Sequence, residues 1–172
     1  MVEIVTEGHP VLRQKAQAVP QSMFGTPELT EIVANMSEAL RATLHGVAIA
    51  APQIAQPWRI FVVSGFVIAG NDRNLEDPDM VFINPKIKKR SRKKVHIDSE
   101  GCLSVPGVFG SITRSEKILI EAYDMQGKKF ERGGSELLAE IFEHETDHLD
   151  GILFIDKAQE TWEDAERKEK HD

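Results

Sequence analysis

Apolar residues recur at spacings of three and four along two stretches of the chain, and this pattern predicts two amphipathic helices. In the first, Thr26 can cap the helix start and Pro27 suits the first helical position. The second lies between Gly133-Gly134-Ser135, which offers a start, and Gly151, which offers a left-handed stop. The two apolar stripes comprise Leu29, Ile32, Val33, Met36, Leu40 and Leu44, and Leu137, Leu138, Ile141, Phe142 and Leu149.

Strands are predicted where β-branched and aromatic residues form short apolar or alternating runs. The segment from Lys86 to Lys94 holds seven basic residues in nine and is predicted to form a hairpin. Residues 156–172 are highly charged with a narrow apolar stripe, so we predict a charged C-terminal helical tail. The predicted strands are residues 58–63, 81–84, 112–124, a return strand through Phe130, and 152–154.

Length and composition favour a single domain over residues 1–172. A chain of 172 residues can bury a core without disulfide bonds, and Cys102 is the only cysteine. No apolar run approaches the roughly 20 residues that a membrane helix needs. The net charge of −7 argues against a general nucleic-acid-binding protein, although the charges are not evenly spread along the chain. We therefore expect a soluble cytoplasmic protein with no membrane partner and no sequence-specific nucleic-acid partner.

The helix predicted late in the chain carries an H-E-x-x-H motif at residues 144–148. His144 and His148 share one helix face, so both imidazoles can reach one metal ion while Glu145 lies at its open side. A hydrolytic metal site needs about three protein ligands. One protease pattern has its next ligand at position 154, which is Phe154 here. A third ligand must therefore come from elsewhere.

Cys102 is the natural third ligand, because a thiolate completes a Cys-His-His set with one position open for water. Taken alone, a buried free cysteine is more often a small apolar residue. Glu160 and Glu163 lie where some metalloproteases place a third ligand, although a solvated helix face is the simpler use of them.

Residues 46–53 form a stretch of small side chains that ends in one amide. Small residues from Gly46 onward let a ligand approach the backbone, and the carboxamide of Gln53 can donate to a developing oxyanion. The same stretch could equally be a tight loop packed beneath a sheet.

Three of these segments, residues 46–53, 100–104 and 144–149, resemble in order and spacing the signature motifs of peptide deformylases. Residues 9–13 are similar to the family as well, so the resemblance covers nearly the whole chain. It implies an α+β fold in which antiparallel strands surround the helix that carries H-E-x-x-H. It also implies a hydrolase that removes the N-formyl group from the formyl-methionine of newly synthesised polypeptides.

The resemblance also implies roles for individual residues. One divalent metal, with Fe(II) as first choice and Zn(II) or Ni(II) as alternatives, is held by Cys102, His144 and His148. Glu145 acts as general base, and Gln53 with the backbone N–H of Leu103 stabilises the oxyanion. The substrate-binding residues are Gly46, Val47, Ala48, Gly101 and Ile141, and the residues that form a supporting ion pair are Glu100 and Arg114.

Three positions depart from the family pattern: Ala48 replaces Gly, Glu143 replaces Gln, and Thr146 replaces an apolar residue. Two alternative functions therefore remain. One is a catalytically weak or inactive relative that binds peptide or ribosome, and the other is a zinc endopeptidase. A further hypothesis is that Lys86 to Lys94 contacts ribosomal RNA, although a solvated strand edge is the simpler interpretation.

Overall fold

The structure, a computed structural model, describes residues 1–70 and 74–164. Its helices are α1 (Pro27–Arg41), α2 (Gly65–Ala69) and α3 (Leu137–Leu149). Its strands are β1 (Ala48–Ala50), β2 (Ile60–Val63), β3 (Met80–Arg90), β4 (Lys94–Cys102), β5 (Val105–Ser115), β6 (Lys117–Tyr123), β7 (Lys129–Ser135) and β8 (Glu160–Glu163). Short 3₁₀ turns cover Pro10–Arg13, Gln21–Met23, Ala51–Ile54 and Phe154–Asp156.

The strands form two antiparallel sheets. One has five strands in the order β1-β2-β3-β6-β7, and the other has three in the order β4-β5-β8. Helix α3 packs against strands of both sheets, and α1 packs against β1 and β2. Within the described part of the chain, no helix is long and apolar enough to cross a membrane. The predicted α+β fold, with antiparallel strands around the helix that carries H-E-x-x-H, is confirmed.

Helix α1 begins as its sequence predicts. The hydroxyl of Thr26 accepts a hydrogen bond from the Leu29 N–H at 3.3 Å, and Pro27 occupies the first turn. The helix ends at Arg41, so Leu44 lies beyond it and is 82% exposed rather than part of the apolar stripe. The other predicted stripe residues are buried against the five-stranded sheet.

Helix α3 is buried and bounded, although its start was predicted too early. Gly133-Gly134-Ser135 belongs to β7, and the helix begins at Leu137 after Glu136, whose φ is +54°. Its Phe142 packs with Phe61 and Phe82 in the core of the five-stranded sheet. At the other end Gly151 has φ +76°, and a Cβ there would lie 2.6 Å from the Arg13 carbonyl oxygen.

The predicted hairpin from Lys86 to Lys94 is wrong, because β3 and β4 pair in different sheets. The predicted strand 112–124 is likewise two strands, interrupted at Glu116. The chain passes from one sheet to the other twice at the same place, between β3 and β4 and again between β5 and β6. Here the Ser91 N–H donates to the Lys117 carbonyl, and the Glu116 N–H donates to the Lys93 carbonyl. Two neighbouring crossings therefore replace one local hairpin.

The C-terminal prediction also needs correction. Glu160–Glu163 is strand β8, paired with β5 so that Trp162 faces Phe109, and not part of a helical tail. The backbone bonds that the β5 edge offers outweigh the local helical preference of this segment. The rest of the predicted tail, from residue 165, lies outside the described residues. Residues 152–154 form no strand, because the Asp156 carboxylate accepts from the Leu153 N–H and closes a 3₁₀ turn.

Candidate metal centre and active site

Two elements bring three metal-ligand side chains together. Cys102 ends β4, and His144 and His148 lie one turn apart on α3. Their ligand atoms all lie within 4.8 Å of one another, and Cys102 Sγ is 3.2 Å from His148 Nε2. Within the described residues this is the one group of three or more such side chains this close, so Glu160 and Glu163 are not part of it. One sulfur and two imidazole nitrogens form a donor set that suits a divalent transition metal.

A buried ion pair orients one of these ligands. His144 Nδ1 lies 2.5 Å from Glu100 Oε1, so the Nδ1–H donates to the carboxylate and Nε2 is left for a metal. Arg114 Nη2 lies 2.8 Å and Nε 2.9 Å from the two Glu100 oxygens. Burial alone would raise the pKa of Glu100, but the hydrogen bonds from His144 and Arg114 outweigh it and lower that pKa. Glu100 is therefore a fixed anion at neutral pH.

Glu145 lies beside the ligands in a dry environment. It is 4% exposed, and its Oε2 has no hydrogen-bond partner among the described residues. Burial raises the pKa of Glu145 to about 7; His144 and Arg114 act to lower that pKa, and the negative charge of Glu100 acts to raise it. A carboxyl group with this pKa can accept and return a proton near neutral pH.

The amide of Gln53 is held with its donors toward the site. Its Oε1 accepts from the Ala50 N–H at 2.9 Å, which directs Nε2 toward Ser104 Oγ at 3.2 Å and Cys102 Sγ at 3.7 Å. The Ser104 N–H also donates to Cys102 Sγ, at 3.4 Å. Residues 46–53 thus contain strand β1 and most of a buried 3₁₀ turn rather than a loop, and they supply the amide donor of Gln53. The contacts of Ser104 were not predicted, although its position two residues after the cysteine was a signal.

A cavity of about 310 Å³ opens beside the ligands. Its walls come from the β1 side, the end of β4 and one face of α3. Every residue predicted to bind substrate lines it, as does Leu103: Gly46, Val47, Ala48, Gly101 and Ile141. Lining residues that were not predicted are His45, Ser99, Phe109, Leu137 and Glu140. Only the folded chain brings these side chains to one wall.

Comparison with known proteins decides the family. The sequence profile of the family described as Polypeptide deformylase matches residues 1–163. The chain belongs to the peptide deformylase family.

Individual deformylases match over most of this chain. It is 38% identical over 166 residues to peptide deformylase 1A, chloroplastic/mitochondrial, of Arabidopsis thaliana. The match covers 90% of this chain but only 60% of the Arabidopsis protein. It is 37% identical over 159 residues to the peptide deformylase of Syntrophomonas wolfei, and the match covers 92% of this chain and 94% of that protein. The actinonin-bound class I type b peptide deformylase from Acinetobacter baumannii superposes with a TM-score of 0.81 at 28% identity. The superposition covers 92% of this chain and 99% of that chain.

The three departures from the deformylase pattern lie in different surroundings. Ala48 is in the cavity wall, where its methyl group takes space. Thr146 donates through its hydroxyl to the Phe142 carbonyl, as helical threonines commonly do. Glu143 accepts from Arg90 Nε and from the Ser115 N–H, each at 3.3 Å. Its carboxylate therefore ties α3 to β3 and β5.

Proposed function

We propose that this chain hydrolyses the N-formyl group from the N-terminal formyl-methionine of newly synthesised polypeptides. The observation that carries the proposal is the cluster of Cys102, His144 and His148 beside the buried Glu145 and next to an open cavity. We also predict that this protein acts in the cytoplasm, because the proposed substrates are newly synthesised polypeptides.

Cys102, His144 and His148 would hold one divalent metal, for which Fe(II) is our first choice and Zn(II) and Ni(II) are alternatives. When bound, such an ion polarises a carbonyl oxygen and acidifies a water molecule. The Glu100 carboxylate holds His144 in the tautomer that a metal needs, and Arg114 holds Glu100.

The chain's own residues then move one proton and stabilise one charge. Glu145 takes a proton from the attacking water as the new C–O bond forms at the formyl carbon. Negative charge develops on the formyl oxygen, where the Gln53 Nε2–H and the Leu103 N–H are the proposed donors. As the C–N bond breaks, Glu145 returns the proton to the departing amine, and the products are formate and a free N-terminus.

Substrate binding is proposed for the rest of the cavity. Gly46 and Gly101 line the cavity, where a peptide backbone would meet their own backbone groups. Both positions need glycine for packing as well, since a Cβ would lie 2.2 Å from Thr43 Oγ1 at Gly46 and 2.9 Å from the Phe109 ring at Gly101. Val47 and Ile141 provide apolar surface for the methionine side chain.

The experiment that tests the proposal measures formate release from formyl-Met-Ala-Ser by the metal-loaded protein. Acetyl-Met-Ala-Ser and a blocked peptide with only internal amide bonds serve as controls, and cleavage of the latter would support the endopeptidase alternative. Glu145→Gln should keep the metal and lower turnover by a factor on the order of 10² to 10⁴.

An inactive parent with full metal content would contradict the proposal. It would favour the non-catalytic alternative, for which the Ala48 methyl in the cavity wall is the specific observation. An Ala48→Gly variant that regains formate release would then identify that methyl group as the cause.

A ribosome contact through Lys86 to Lys94 is proposed separately, and it rests on fewer cations than the seven that the sequence contains. Several of its cations already have partners: Lys88 with Glu121, Arg90 with Glu143, and Lys93 with Glu116. Among the described residues, the exposed cations of this segment that make no ion pair or hydrogen bond are Lys86, Lys89 and Arg92. These are the groups left to meet RNA phosphates.

A further inference from the structure

A second cavity, of about 230 Å³, lies beside α3 and shares no lining residue with the cavity at the ligand cluster. From α3 it is lined by Glu143 and Asp147. Each of these residues comes one position before a predicted metal ligand and therefore lies about 100° around the helix from it. The other walls come from β3, β4, β5 and the residue that follows the last 3₁₀ turn. No step of the proposed reaction uses this cavity.

Positive charge exceeds negative charge around this second cavity. Its lining contains four cations and two carboxylates, which are Arg90, Lys94, Arg114 and Lys157 with Glu143 and Asp147.

The pairing of these charges leaves one cation over. Arg114 is already paired with Glu100, 2.8 Å away and outside the lining. Arg90 lies 3.3 Å from Glu143, and Lys157 lies 2.9 Å from Asp147. Lys94 makes no ion pair with the residues that the structure describes, and its Nζ donates to the hydroxyl of Ser115 at 2.8 Å. The charge of Lys94 is therefore uncompensated.

The cations also keep hydrogen-bond donors that the chain does not use. Arg90 contacts Glu143 through Nε, which leaves the two terminal amino groups of its guanidinium. Lys94 and Lys157 each donate one N–H in the contacts described and have two more. These three side chains come from different elements, so their donors can meet a small anion from several directions. Hydrogen bonds between such cations and an oxyanion are charge-assisted and therefore strong.

The two carboxylates restrict which oxyanion fits. All four of their oxygens already accept from the chain, namely from Arg90, Ser115, Arg114 and Lys157, and each can accept a second bond. Sulfate has no hydrogen to donate at neutral pH, so it would only be repelled by these oxygens. Inorganic phosphate keeps at least one O–H at neutral pH and can donate it to a carboxylate. A lining of this mixed kind therefore favours phosphate over sulfate.

We propose that this second cavity is a binding site for inorganic phosphate, in which Arg90, Lys94 and Lys157 donate to the anion. The phosphate O–H donates in turn to Glu143 or Asp147. The site contains no predicted metal ligand, so it does not depend on the proposed reaction. Because the bound ion contacts β3, β4 and the segment after the last 3₁₀ turn together, it stabilises the folded chain.

The test is isothermal titration calorimetry of the metal-loaded protein with inorganic phosphate at constant pH and ionic strength. We expect one phosphate per chain. Lys94→Ala should raise the dissociation constant by about tenfold or more, because a hydrogen bond between two charged groups is lost. Lys157→Ala should change it in the same direction. Lys86→Ala removes an equal charge from an exposed position of β3 outside the cavity lining and should change it by less than about twofold.

Two further titrants separate phosphate from related anions. Sulfate, and dimethyl phosphate as a diester like the backbone of a nucleic acid, both lack an O–H and should bind at least about tenfold more weakly than phosphate. Phosphate can also bind a metal ion at the ligand cluster, so the titration is repeated with metal-free protein. Binding at the second cavity should persist there.

Four results would overturn the proposal. They are the absence of saturable phosphate binding by the parent, binding that is lost with the metal, binding that Lys94→Ala leaves unchanged, and binding that Lys86→Ala weakens as much as Lys94→Ala does. Equal affinities for phosphate and sulfate would overturn the role given to Glu143 and Asp147, and with it the choice of phosphate as the ligand.

Discussion

Two ion pairs of similar length lie in very different surroundings. Arg114 Nη2 is 2.8 Å from Glu100 Oε1, and Lys93 Nζ is 2.6 Å from Glu116 Oε1. The side chains of the first pair are 2% and 3% exposed, whereas those of the second are 72% and 29% exposed. The first pair supports the metal-ligand cluster, and the second lies where the chain crosses between the two sheets.

The difference shows that burial, and not distance, decides what a charge does in this molecule. In the buried ion pair each charge holds another group in place: Arg114 holds Glu100, and Glu100 holds His144. In the basic segment three of the seven charges are balanced by nearby carboxylates of the same chain, at the protein surface, where such pairs contribute little. A count of basic residues therefore overstates how much of that segment is available to a partner.

The largest effect is expected at the ligand cluster. Cys102→Ala removes the one soft ligand and should lower metal content sharply, with loss of formate release, while the far-ultraviolet circular dichroism stays that of a folded chain. Metal analysis of the purified variant measures it. Ser104→Ala, which changes a neighbouring polar residue and no ligand, is the matched control. Full metal occupancy in the Cys102 variant would mean that the third ligand has been misassigned.

The next prediction tests the comparison directly. Arg114→Met leaves Glu100 buried without its main partner and should lower the free energy of unfolding by about 3–5 kcal/mol. Lys93→Met breaks an equally short pair in water and should leave the denaturant midpoint unchanged. Urea unfolding of both variants, each in the metal-free form, measures this. Equal shifts in the two midpoints would contradict the role given to burial.

Local patterns predicted the parts of the fold that depend on neighbouring residues. The Thr26 cap, the spacing of His144 and His148 and the left-handed Gly151 all follow from rules within one helix. Two sequence motifs, residues 100–104 and 144–149, also predicted the candidate ligand cluster, because each motif lies on its own short segment.

The errors concern pairing between distant residues. Lys86–Lys94 could form a hairpin with itself, but Lys86 pairs with Glu121, Arg90 with Ile118 and Lys94 with Ser115, and each of these partners lies more than 20 residues later. Trp162 fits a helical stripe until the edge of β5 is there to pair with it. Glu140 becomes a cavity residue only when α3 faces β1 and β4, so periodicity alone could not single it out.

A smaller effect is expected at the exposed cations. Lys89→Glu with Arg92→Glu should weaken any binding to ribosomes and reduce the slope of log K against log salt by roughly 1 to 2, since each lost phosphate contact releases fewer counterions. Sedimentation with ribosomes at several salt concentrations measures it. Lys15→Glu with Lys128→Glu reverses two exposed charges elsewhere and should change the slope less. Equal effects of the two double variants would leave Lys86–Lys94 as an ordinary solvated segment.

The smallest effect is expected at Glu143, whose carboxylate contacts both an exposed cation, Arg90, and a buried backbone group, the Ser115 N–H. From the sequence alone, Glu143 adds a negative charge next to His144, which predicts that Glu143→Gln leaves activity unchanged or raises it. The structure shows instead that its carboxylate accepts from Arg90 and from the N–H of Ser115, a residue that is 1% exposed.

Gln keeps one acceptor oxygen, which can still serve the Ser115 N–H, and loses the charge that faces the exposed Arg90 and lies 3.9 Å from Arg114 Nη1. We therefore expect Glu143→Gln to retain the metal and kcat/KM within about twofold, and to lower the free energy of unfolding by less than about 1 kcal/mol. Glu143→Ala also leaves the Ser115 N–H without an acceptor and should cost about 1–3 kcal/mol. Urea unfolding and formate release of the two variants measure these effects. If both variants lost the same stability, the charge of the Glu143 carboxylate rather than its bond to the Ser115 N–H would be what stabilises the packing of α3.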